Sequence, residues 1–332
     1  MVVKIIALNG SPKGCNGTTI QFVKYVQRKY PEREIKIFHI AQKLKYYENN
    51  IDAFQELINE IQSCVGIIWA FPLYILHVHS NYKRFIELIW EWGVENAFKG
   101  KYAITISTSI HFYDHMAHNY MHGIIDDLDM KYFGYYAPHM LDISDFEKRQ
   151  NFIKFVDNFF DGIDKKVSTP KKFAPLNYRE FEYKPGENSK AIDAKGKKVL
   201  IVTDSIDEKT NIGKMVIAMK NCFSEAEIAN IWDVNIKGHC LGCVKCGYNY
   251  ECHYLEVKGD NFIEFYKNKV ISADILIFAG AMKDRFFSSR WKLFFDRAFF
   301  NTHAPVLVGK QLGFIISGPL SQDINFREFI ES

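Results

Sequence analysis

Net charge is the first thing this sequence has little of. Its 42 Lys and Arg stand against 39 Asp and Glu, leaving +3, too small a surplus to advertise a nucleic-acid or membrane-surface partner. Long apolar runs are also missing. The longest, residues 64–76, contains Pro72 and is shorter than a bilayer span. No leader pattern opens the chain, because the apolar stretch 2–8 is broken by Lys4. A cytoplasmic protein is therefore expected, with neither nucleic acid nor membrane as partner. Disulfide pairing is excluded as a framework, since seven cysteines are an odd number with no secretion signal before them. Apolar material is what the chain has in plenty. At 48% hydrophobic and 15% aromatic over 332 residues, it can fill two cores, and it is not disordered, collagenous or coiled-coil.

Apolar runs and helical periodicity alternate through the first half. Strands are expected at 2–8, 34–40, 65–71, 102–107 and 132–136, and helices at 18–29, 52–63, 81–92, 116–128 and 145–160. Five such βα units predict an α/β fold, a doubly wound parallel sheet in three αβα layers. Residues 165–198 hold Pro170, Pro175, Pro185 and many charges, as a linker does. The pattern then restarts, with strands at 199–203, 227–232, 275–279 and 312–317 and helices at 212–223, 260–271 and 290–299. Ser80-Asn81-Tyr82-Lys83-Arg84-Phe85-Ile86-Glu87 matches Ser289-Arg290-Trp291-Lys292-Leu293-Phe294-Phe295-Asp296, both after a third strand. We read an internal duplication, with domains at 1–164 and 199–332. The second copy stops after its fourth strand and reads either as truncated or as taking its fifth strand from elsewhere.

Asn9-Gly10-Ser11-Pro12-Lys13-Gly14-Cys15-Asn16-Gly17-Thr18-Thr19 joins the first strand to its helix. In a doubly wound sheet a phosphate docks there, on backbone N–H groups at the positive helix end. Ser11, Asn16, Thr18 and Thr19 offer side-chain donors, Gly17 lets the backbone close, and Lys13 is the only charge. Neither a Walker A motif nor a G-x-G-x-x-G fingerprint is present, which argues against a kinase, an ATPase or a Rossmann dehydrogenase. The competing reading is a Gly-rich turn before a capped helix.

This loop resembles that of the NADPH-dependent FMN reductases and related flavodoxin-like proteins. Lys13 stands where that family usually has Arg, and Gly17 separates Asn16 from Thr18. Phe71-Pro72-Leu73-Tyr74-Ile75, followed by Lys83, is similar to the family's Pro-x-Tyr loop. The resemblance implies FMN, with its phosphate on Ser11, Lys13, Asn16, Gly17, Thr18 and Thr19. It implies an isoalloxazine ring enclosed by Pro72, Leu73, Tyr74 and Ile75 and by Thr108, Ser109, Ile110 and His111. It also implies NAD(P)H as electron donor, a small-molecule or protein acceptor, and a homo-oligomer.

Cys240-x2-Cys243-x2-Cys246-x5-Cys252 is the most specific signal in the chain. Four soft thiolates so close together suit one iron–sulfur cluster or a zinc ion. Three cysteines at successive x2 intervals resemble cubane-cluster proteins more than zinc pairs, which implies a 4Fe-4S cluster. Their placement after the second strand resembles the iron–sulfur flavoproteins, as do Ala273-Asp274-Ile275-Leu276-Ile277 and Lys292–Arg297. The 203–211 loop departs from that pattern, because Asp204, Asp207 and Glu208 would repel a phosphate. The expected function is that of an FMN-dependent NAD(P)H oxidoreductase passing electrons onward. Alternatives are a redox carrier or sensing module without turnover, and a flavin reductase with a structural zinc site.

His111, His115, His118 and His122 recur at helical spacing near the proposed ring. They read as flavin contacts or proton donors, as a second metal site, or as a polar face at a domain contact. Cys15 at the helix start reads as a small loop residue.

Overall fold

A computed structural model describes residues 3–186, 191–302 and 304–332. The chain divides into two compact units, Met1–Pro175 and Leu176–Ser332. No helix among the described residues is long and apolar enough to cross a membrane.

The first unit runs β1 (Lys4–Asn9), α1 (Thr18–Lys29), β2 (Glu34–Phe38), α2 (Ile40–Asn49), α3 (Ile51–Ser63), β3 (Gly66–Pro72), α4 (Ser80–Glu91), β4 (Tyr102–Thr108), α5 (Asp114–Asp127), β5 (Lys131–Tyr136) and α6 (Phe146–Asp164). All neighbouring strands pair in parallel, in the order β2-β1-β3-β4-β5. That is the flavodoxin-like order, whose switch point lies between β1 and β3. β1, β3 and β4 are buried almost end to end, as central strands covered on both faces must be. One core layer packs Ile5, Ile68, Ile104 and Ile106 against Phe22 of α1 and Phe152 and Phe159 of α6.

Several boundaries differ from the sequence reading. The second strand ends at Phe38 rather than 40, and Ile40 opens α2. That helix buries Ile40, Ala41, Leu44 and Tyr47, one narrow stripe among Lys, Gln and Tyr that carries little periodic signal. The expected linker is not free of either unit. The N–H groups of Lys172 and Phe173 both donate to Asp126 Oδ2 at 2.9 Å in the first unit. In the second, Tyr183 N–H donates to Asn211 Oδ1 at 2.8 Å and Ile192 N–H to Cys222 O at 2.7 Å.

The second unit runs β6 (Val199–Thr203), α7 (Asn211–Asn221), β7 (Glu227–Asn230), α8 (Cys246–Asn249), α9 (Phe262–Phe265), β8 (Ile275–Ala281), α10 (Ser289–Ala298), β9 (Gln311–Ser317) and α11 (Ile324–Glu331). Its parallel sheet is ordered β7-β6-β8-β9, repeating the first four strands of the other unit. The helix expected over 260–271 is α9 followed by a π-helical turn, Tyr266–Val270.

The two units repeat one another in detail beyond the sheet. Tyr74 and His77 exchange backbone hydrogen bonds across a two-residue turn in which Ile75 and Leu76 have φ of 40° and 58°. Lys283 and Phe286 do the same across Asp284 and Arg285, with φ of 45° and 63°. Both turns lead into a helix that buries a Lys–carboxylate pair one turn apart, Lys83–Glu87 in α4 and Lys292–Asp296 in α10. Arg84 also reaches Glu87, at 3.1 Å.

Candidate functional site

The carboxyl ends of β1, β3 and β4 bring together the loops picked out in the sequence. Asn9, fully buried at the end of β1, shapes the first loop. Its amide donates to Gly14 O at 2.9 Å and meets His39 Nδ1 at 2.9 Å, while its Oδ1 accepts the Ser11 N–H at 3.0 Å. Ser11 Oγ in turn accepts the Lys13 N–H at 3.3 Å. Gly14 adopts φ of +55°, open to glycine at no steric cost. Lys13, Asn16 and Thr18 are exposed on the rim, and Ser11 and Gly17 are buried within the loop.

Gly17 precedes α1, and no side chain caps that helix. Its first-turn N–H groups, which no helix can satisfy internally, therefore open toward the loop. The cradle is tight. A Cβ on Gly17 would lie 2.5 Å from Ser11 Oγ, and one on Gly10 would lie 2.8 Å from the Tyr82 ring. An uncapped helix end inside a close-fitting, nearly neutral loop suits a phosphate monoester.

Thr19 sits differently from the rim residues. It is fully buried and its hydroxyl lies 2.6 Å from that of Thr108, tying the start of α1 to the end of β4. Leu73 N–H donates to Thr108 O at 3.2 Å, so the same threonine holds the 72–76 loop. Pro72, Leu73, Tyr74 and Ile75 are all half-buried and offer an apolar, aromatic wall. Ile75 is β-branched with positive φ, a conformation that costs energy and concentrates at functional sites.

Across from them, Ser109 Oγ accepts the His111 N–H at 3.0 Å, and His111 Nδ1 lies 3.0 Å from Asp114. Ile110, His111 and Phe112 are exposed.

The four histidines do not act as one stripe. His111 precedes α5, and His115 is exposed. His118 is buried, with Nδ1 2.9 Å from Thr105 Oγ1 and Nε2 2.8 Å from Ser107 Oγ, and its ring stacks on Tyr135. Burial pushes its pKa down to about 3, so it is a neutral bridge between two hydroxyls of β4. His122 pairs with Asp126 at 3.4 Å.

In the second unit the loop after β6 is closed. Thr210 caps α7 by accepting the Gly213 N–H at 3.1 Å, and Ser288 Oγ donates to Asp204 at 2.7 Å. A Cβ on Gly213 would lie 2.1 Å from Asp207 O. The start of α7 is thus covered by a side chain and the backbone of its own loop.

Cys240, Cys246 and Cys252 are half-buried and Cys243 is exposed, and none of the four is in a disulfide. Burial pushes the Cys240 thiol up to about 12, helped by Asp296, Cys252 and Cys246. Burial, then Cys252 and Cys243, raises Cys246. The thiols therefore lie within each other's fields, and four soft donors in one segment fit zinc or an iron–sulfur cluster chemically. No three His, Cys, Asp or Glu side chains among the described residues already stand as a metal-holding group.

Asn9, His39 and the Thr19–Thr108 contact were not singled out from sequence. Only the place of Asn9 at the end of an apolar strand hinted at its role.

Residues 3–136 match the family model of the NADPH-dependent FMN reductases. No curated protein matches the chain in sequence. Among solved structures it is similar to an apo-form NADH:FMN oxidoreductase, at 17% identity over 48% of this chain and 88% of the other, with a TM-score of 0.41. It is also similar to general stress protein 14 of Treponema denticola in complex with FMN (13% identity, 49% and 98% coverage, TM-score 0.36). A third is an FMN-dependent NADH-azoreductase of Bacillus anthracis in complex with FMN (15% identity, 50% and 100% coverage, TM-score 0.33).

Proposed function

We propose that the first unit, whose residues 3–136 match the family model of the NADPH-dependent FMN reductases, binds FMN and oxidises NAD(P)H. The observation that carries this reading is the uncapped α1 terminus inside the tight loop of Ser11, Lys13, Asn16, Gly17 and Thr18. Backbone N–H groups there hold the phosphate, and Thr19 holds Thr108 and through it the ring-side loop. Pro72, Leu73, Tyr74 and Ile75 exclude water from one side of the ring, and Thr108, Ser109, Ile110 and His111 border the other. Bound FMN supplies the exchange between two-electron and one-electron chemistry.

The second unit contributes no second flavin in this reading, because α7 is capped by Thr210 and crowded by Asp207. Its contribution is Cys240, Cys243, Cys246 and Cys252, which hold an iron–sulfur cluster. The successive x2 spacings among the four cysteines support that assignment. Zinc without iron in a stoichiometric metal assay would replace the cluster by a structural ion. A homo-oligomer is part of the same reading and is checked by light scattering.

Steady-state oxidation of NADH and NADPH with an artificial acceptor tests the activity. Turnover that depends on added or bound FMN is expected. FMN binding without turnover would leave a redox carrier instead.

A further inference from the structure

The cysteine segment of the second unit hangs on two stems that meet at one buried guanidinium. Asn235 N–H donates to Asn261 Oδ1 at 2.8 Å, and Asn261 N–H to Asn235 O at 3.0 Å. Next, Lys237 N–H donates to Asp260 Oδ2 at 2.9 Å. Arg297 of α10 is only 2% exposed and grips both stems. It donates to Gly238 O at 2.9 Å and, through both terminal nitrogens, to the two Asp260 oxygens at 2.9 Å each. Its guanidinium also lies 3.9 Å from the centre of the Tyr254 ring. Tyr254 donates its hydroxyl to His239 O at 2.9 Å, one residue before Cys240. Gly238 makes this possible, since a Cβ there would lie 2.3 Å from the Tyr254 oxygen.

The first unit serves as an internal control. Lys83 and Glu87 correspond to Lys292 and Asp296, and the next position is Leu88 in one unit and Arg297 in the other. Leu88 is fully buried. A buried guanidinium is costly unless its donors are met, and the partners of Arg297 named above all lie in residues 238–260. Arginine thus occurs in the unit with the cysteine segment, and leucine in the unit without it.

We propose that Arg297 is the positioning residue of the thiolate site, fixing the stems so that Cys240 and Cys252 enter and leave at a set separation. This rests on the metal-binding reading above. The test is cobalt(II) titration of the reduced full-length chain without oxygen, followed by the thiolate–cobalt absorption bands. Arg297→Leu is expected to weaken cobalt binding about 10- to 100-fold, the range for residues that orient metal ligands. Arg297→Lys recovers only part, because it keeps the charge but not the planar fork. Tyr254→Phe, which loses only the His239 contact, gives a smaller loss and an altered band pattern. FMN affinity of the first unit stays unchanged in all three, and a wild-type far-ultraviolet circular dichroism spectrum and urea transition report that the second unit is folded. A wild-type chain that takes no cobalt overturns the metal reading and this role with it. Wild-type binding with Arg297→Leu within twofold overturns the role alone. Should Arg297→Leu fail to fold, wild-type affinity in both Arg297→Lys and Tyr254→Phe does the same.

Discussion

Replacing Gly17 by Ala probes the phosphate loop with a single methyl group. The backbone at Gly17, φ −67° and ψ 147°, suits alanine, so no conformational strain enters. The conflict is steric: the new Cβ lies 2.5 Å from Ser11 Oγ and 2.9 Å from Ser11 Cβ. To restore the 3.4 Å of ordinary contact, Ser11 must retreat by about 0.9 Å, the difference between 3.4 and 2.5. Its N–H is fixed on Asn9 and its hydroxyl on the Lys13 N–H, so residues 11–13 move with it. Losing one hydrogen bond to a charged phosphate costs about 1.5–3 kcal/mol, or about 10- to 150-fold in affinity. Titration of FMN, followed by quenching of its fluorescence, is the assay. The control is Gly213→Ala, whose Cβ would meet Asp207 O at 2.1 Å in the closed loop of the second unit. It is expected to destabilise that unit while leaving FMN affinity untouched. An FMN affinity within twofold of wild type in Gly17→Ala would refute the placement of the phosphate.

Three further outcomes follow from buried polar groups. His118 has a folded pKa of about 3 against 6.5 when free, so the stability it confers is complete above about pH 6.5 and is lost as pH falls toward 3. At about 1.4 kcal/mol per pH unit, urea unfolding should register roughly 2 kcal/mol less stability at pH 5 than at 6.5, and His118→Gln should flatten that slope. Lys292→Met removes the buried cationic partner of Asp296 and should cost about 3–5 kcal/mol in urea unfolding, whereas Lys292→Met combined with Asp296→Leu should recover most of it. Thr108→Val leaves the buried Thr19 hydroxyl without its 2.6 Å partner and should cost about 1–3 kcal/mol, measured the same way.

The strands were legible wherever burial on both faces left a run of aliphatic residues, as in β1, β3, β6 and β8. Helix α2 was not, because its four buried residues lie among charged and aromatic ones that read equally well as loop. The glycine-rich loop and the cysteine segment stood out by composition. Their supports did not: Asn9 matters through Gly14 and His39, five and thirty positions away. Likewise Arg297 acts on Gly238 and Asp260, 59 and 37 positions away. The repeat of the two units was legible in the Ser80–Glu87 match, yet the shared turns at 74–77 and 283–286 have no residue in common. Backbone geometry, rather than side-chain identity, is what those turns repeat.

The central claim is that the first unit holds one FMN and reduces it with NAD(P)H. Its most direct test is the visible spectrum of protein purified without oxygen and supplied with FMN, recorded before and after adding NADH or NADPH. The account predicts flavin absorption at one FMN per chain, bleached by at least one of the two nucleotides. A colourless protein that refuses added FMN would contradict it.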